Sequence, residues 1–68
     1  MIVNFYRRTG FYRKTGTGFH DNELVASKNI NSVPQKGMRV TFSGQRFYVD
    51  RIEFDIDLCE YNIYMIRG

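Results

Sequence analysis

MRVTFSGQRFYVDRIEFDIDLCEYNIYMIR, residues 38–67, decides the fold. Apolar and polar residues alternate through most of it, the period-two pattern of half-buried strands. A two-residue turn at Ser43-Gly44 sets Val40 opposite Phe47 and Met38 opposite Val49, leaving Arg39, Thr41, Arg46 and Tyr48 on the other face. A three-residue loop would set Val40 against Tyr48 and Met38 against Asp50, so the tighter turn is expected. The inward positions then change phase, from Phe47 and Val49 to Ile52, Phe54 and Ile56. One extra residue near Asp50-Arg51, a β-bulge, keeps both sets inward and bends the strand. Beyond it, a four-residue loop Asp57-Leu58-Cys59-Glu60 is expected to pair Ile56 with Tyr61, Phe54 with Ile63 and Ile52 with Met65. A two-residue Leu58-Cys59 turn has the same register but places poor turn formers at positive φ and Asp57 against Glu60.

Upstream, MIVNFYRR is rich in β-branched and aromatic residues and reads as a strand. Thr9-Gly10 is a turn signal, and FYRKT is expected to return as its partner, making residues 1–20 a hairpin. TGTG and HDN read as a flexible connection. ELVASKNI is short enough for a strand or about two helical turns, and strand is preferred. NSVPQKG is a loop leading to Met38, since Pro34 is excluded from a central sheet position.

Four or five short strands, one of them bent, make an all-β domain: a small antiparallel sheet or closed to half-closed barrel spanning residues 1–68. The stretch VPQKGMRVTFSGQRFYVDRIEFDID, with its Pro-x-x-Gly entry, Ser-Gly turn and Tyr-x-Val return, resembles small SH3-like barrel proteins of phages and mobile elements. That resemblance covers about the last 35 residues. It implies a barrel fold and a small accessory protein, with no functional residue to carry over.

A core this small supplies only about 3–5 kcal/mol of net stability, so support from a partner or a second copy is a reasonable expectation. The single cysteine, Cys59, excludes an intramolecular disulfide framework and fits a reducing, cytoplasmic setting. No apolar run approaches the roughly 20 residues that cross a bilayer, and Arg7 and Arg8 after MIVNFY reverse the basic-then-apolar order of a signal peptide. A complete soluble protein, with no membrane association, is the expectation.

Charge is unevenly placed. Residues 1–20 carry Arg7, Arg8, Arg13 and Lys14 and no acid, whereas Asp50, Glu53, Asp55, Asp57 and Glu60 face only Arg51 between residues 50 and 60. Phe5, Tyr6, Arg7, Arg8, Phe11, Tyr12, Arg13 and Lys14 are therefore the first candidate binding group. Folded about Thr9-Gly10, they pair Arg8 with Phe11, Arg7 with Tyr12, Tyr6 with Arg13 and Phe5 with Lys14. Each ring then meets a cation, and the hairpin is satisfied internally. The same groups also suit base stacking and phosphate attraction on single-stranded nucleic acid.

Asp55, Asp57 and Glu60 form a second candidate patch. Glu53, Asp55 and Asp57 are expected on one strand face, where solvation is a commoner role than Ca²⁺ or Mg²⁺ binding. His20 has no second histidine to complete a metal site. Cys59 lies among carboxylates that make a thiol a poor nucleophile. Lys14-Thr15 lacks the upstream glycines of a phosphate-binding loop. The sequence thus points to a non-enzymatic binding protein without cofactor or metal. A host or phage protein is the favoured partner, single-stranded nucleic acid the alternative, and a second copy a further candidate.

Overall fold

The structure, a computed structural model, describes residues 1–14 and 17–68, with the side chains of residues 10–21 outside that description. It is all-β, a curled half-barrel of five strands: β1 (Ile2–Lys14), β2 (Thr17–Asn29), β3 (Arg39–Phe42), β4 (Gln45–Asp55) and β5 (Glu60–Arg67). No helix occurs among the described residues, so none is long and apolar enough to cross a membrane. The order across the sheet is β2-β1-β5-β4-β3. Neighbours are antiparallel except at the centre, where β1 and β5 run parallel with Val3 beside Tyr61 and Phe5 beside Ile63.

The β3–β4 hairpin has the expected register, Val40 opposite Phe47 and Phe42 opposite Gln45. Ser43 and Gly44 both take positive φ, 49° and 76°, as a type I′ turn requires. Gly37 (φ 88°) prepares entry to β3. The Met38 amide donates to the Gln35 carbonyl (3.0 Å), while Gly37 N–H and the Met38 carbonyl both bond Val49 (2.8 and 2.9 Å). Two residues thus oppose one in a glycine-led bulge. The expected bulge in β4 is present: Val49 pairs Met65 and Arg51 pairs Tyr64, leaving Asp50 as the extra residue.

The β4–β5 loop differs from expectation by two residues. Asp55 pairs Glu60, Phe54 pairs Tyr61 and Ile52 pairs Ile63, so the loop is Ile56-Asp57-Leu58-Cys59. The cause is Asp55 itself, whose Oδ1 accepts the backbone N–H groups of Asp57 (3.0 Å) and Leu58 (3.1 Å) and starts the turn early. Cys59 closes it at φ 55°. Because the shift is even, Ile52 and Phe54 keep their face. Ile56, expected inward, moves into the loop and is exposed, and Phe54 at the strand's end is 48% exposed, so of the three only Ile52 packs on the core. Asp57 also leaves the strand, so it does not share a strand face with Glu53 and Asp55.

The largest correction is at Thr9-Gly10. β1 does not turn there: Arg8 pairs Asn22 and Gly10 pairs Asp21, with Thr9 as an unpaired bulge residue. β1 runs on to Lys14, which pairs with Thr17 of β2. The expected Arg8–Phe11, Arg7–Tyr12, Tyr6–Arg13 and Phe5–Lys14 pairs are therefore absent. The supposed connection is largely strand: Gly18 and His20-Asp21-Asn22 lie in β2, while Thr15 and Gly16 fall outside the described residues. Residues 23–29 of ELVASKNI are strand, as preferred.

Val3, Phe47, Val49, Ile63 and Met65 form the buried core. Phe5, Val25, Ile30, Val33, Val40, Phe42, Ile52 and Tyr61 pack around them. These residues share the concave face, so the half-barrel wraps its core on one side only.

Candidate functional site

Two surfaces carry enough chemistry to consider, one on each face of the sheet. On the convex face, even-numbered residues of β1 and β5 project together. The rings of Tyr6 and Tyr64 stack with centroids 5.3 Å apart and planes 17° apart. The Arg51 guanidinium lies 4.3 Å from the Tyr64 ring centre, so cation and second ring both engage that phenol. The Tyr64 hydroxyl donates to Glu53 Oε1 at 3.4 Å. Burial first, then the Glu53 charge, raises its pKa above a tyrosine's ordinary 10.0, against an opposing effect of Arg51. Arg8 pairs with Asp50 at 3.3 Å beside a polar hollow of about 250 Å³ that Asn22, Arg51 and Tyr64 complete. At the next strand, Arg39 donates to the Tyr48 hydroxyl (2.8 Å).

The first candidate group is thus divided by the fold. Phe5 packs on the concave core, Tyr6 stacks on the convex face, and Arg7 binds Glu23 through Nε and Nη2 (3.1 and 2.9 Å). Arg8 is held by Asp50. Phe11, Tyr12, Arg13 and Lys14 lie in β1, with side chains outside the described ones. The second patch is also partly committed to the fold. Asp55 fixes the β4–β5 turn, and Glu60 accepts from Asn4 Nδ2 (2.8 Å). Asn4 further donates to Asn62 (3.0 Å) and accepts from Ser27 (2.6 Å), tying β2, β1 and β5 together. Of the patch's three carboxylates only Asp57 is exposed, and it has no ion pair among the described residues. Among those residues, no three His, Cys, Asp or Glu side chains are placed to hold a metal.

The concave face has a different character. β2 and β3 are the two ends of the sheet and do not pair, so the barrel is open between them. The gap is a cleft of about 210 Å³. One wall is Ala26, Lys28 and the following Ile30; the other is Val40, Thr41 and Phe42. Phe5 and the buried Met65 lie at its base. Among the described residues, Lys28 carries the only charge on these walls.

Neither edge is well made for adding a further strand. β2 is interrupted by a bulge at Val25, opposite the Phe5–Tyr6 step, and β3 has four residues. Val49 is a bonded position of the ladder. By alternation, only Arg39 and Thr41 of β3 turn their backbone groups away from β4. The cleft therefore suits inserted apolar side chains better than a docked main chain.

Ala26, Lys28 and Ile30 went unnoticed in the sequence, although their i, i+2, i+4 spacing marks one strand face. The partnership of Tyr64 and Arg51 with Tyr6 could not be seen either, because it depends on the parallel β1–β5 seam. No family model, curated protein or solved structure matches this chain.

Proposed function

We propose that this chain is a non-enzymatic binding protein that holds apolar side chains of another polypeptide in the cleft between β2 and β3. It would serve a phage or mobile element inside the host cell, as the resemblance of its C-terminal half suggests. The observation that carries this reading is an apolar cleft reaching to Met65 between two unpaired edges. Exposed apolar concavities of this kind are where soluble proteins meet partners. Lys28 at the wall favours an acidic residue beside the inserted groups.

The test is selection from a random-peptide display library on the intact protein. Peptides combining bulky aliphatic residues with Asp or Glu are expected, and Ala26→Arg should release them while Arg8→Ala should not. Selected peptides indifferent to Ala26→Arg would overturn the cleft as the site.

Single-stranded nucleic acid is the second reading, favoured by the Arg8, Arg51 and Tyr6 cluster on the convex face. It is weaker because Tyr64 is already stacked by Tyr6 and covered by Arg51, which removes a platform for bases. It requires retention on DNA or RNA at low salt that falls steeply as salt rises.

A further inference from the structure

The β4–β5 turn presents what the cleft is built to take. Ile56 and Leu58 are 76% and 65% exposed, high values for large aliphatic side chains, and Asp57 lies between them. This tip is held in shape by the Asp55 hydrogen bonds and the left-handed Cys59, so docking it orders little further chain. The cleft is apolar, with Lys28 as its charged wall residue. Neither Asp57 nor Lys28 has an ion-pair partner among the described residues. Knob and hollow, acid and base, are thus complementary within one sequence, yet the exposed tip is not among the residues that line the cleft of its own molecule.

We infer that the cleft takes the Ile56-Asp57-Leu58 tip of a second copy of this chain. The inference rests on the cleft being a docking site, as proposed above. Tip and cleft are different surfaces, so the contact is heterologous unless two copies exchange tips reciprocally. A foreign partner then competes with self-docking for the same walls.

Sedimentation velocity on the full chain tests this with two variants. Ile56→Asp/Leu58→Asp spoils the tip and leaves the cleft; Ala26→Arg spoils the cleft and leaves the tip. Wild type is expected to gain mass over roughly the micromolar to millimolar range, as a small interface allows. Each variant alone should stay monomeric, and an equimolar mixture should form a heterodimer. Lys28→Glu, at an exposed position, should weaken association at least tenfold, and adding Asp57→Lys should restore it. Cys59 in the tip supplies an independent readout: its alkylation should slow as wild-type concentration rises.

Monomeric wild type throughout the range, or a tip variant that associates as wild type does, would overturn the inference. If wild type is monomeric while library peptides still require Ala26, self-docking fails and the cleft reading stands. Peptides that ignore Ala26→Arg overturn both.

Discussion

A single carboxylate sets the register of the β4–β5 hairpin. Asp55 ends its strand by receiving two backbone N–H groups, so Asp55→Ala should destabilise the fold by about 1–2 kcal/mol in urea titration, whereas Asp57→Ala should stay within about 0.5 kcal/mol. Gly37 and Gly44 are required by conformation alone, since a Cβ at either would meet nothing within 4 Å. Alanine at each should therefore cost about 1 kcal/mol, from positive φ rather than from a clash. Tyr64 adds a pH dependence. Its folded pKa is raised, so the unfolded chain loses this proton first as pH climbs. Stability should be unaffected by this group below about pH 10 and should fall as pH rises through the folded value. Tyr64→Phe should remove that fall in urea midpoints measured across the alkaline range.

At the level of elements, bulges decide which way side chains face. Asp50 lets Phe47 and Val49 share the core with Ile52 across a phase change. Deleting Asp50 should turn one half of β4 outward and abolish cooperative unfolding by circular dichroism. This bulge was legible because both halves of β4 carry strong apolar alternation, and only one inserted residue reconciles them. Thr9 is the opposite case. Its neighbours Arg8 and Gly10 have no apolar rhythm to continue, and a Thr-Gly pair looks like a turn when the partner strand is unknown. The β4–β5 loop shows a third situation: a two-residue slip leaves the faces of Ile52 and Phe54 unchanged, so alternation could not detect it. The Asp55 side-chain bonds that set it are local, but an aspartate near a turn has many other uses.

At the scale of the whole molecule, the core among the described residues is five buried side chains on one face of an open sheet. Ile63→Ala should cost about 2–5 kcal/mol, comparable to the whole stability of a domain this size, and should leave little folded protein at 25 °C by thermal melts. All-β architecture was readable from local pattern, whereas the cleft was not, since it is formed by strands separated by the entire sheet. The parallel seam has a consequence in time. Of the five strands of this sheet, β1 is synthesised first and β5 last, yet they meet at the centre. Val3 and Phe5 must wait, with their apolar faces uncovered, until the ribosome has delivered Ile63 and Met65. The centre of this sheet thus cannot form until β5 has been made, and during that delay the nascent chain is most in need of a chaperone's shelter.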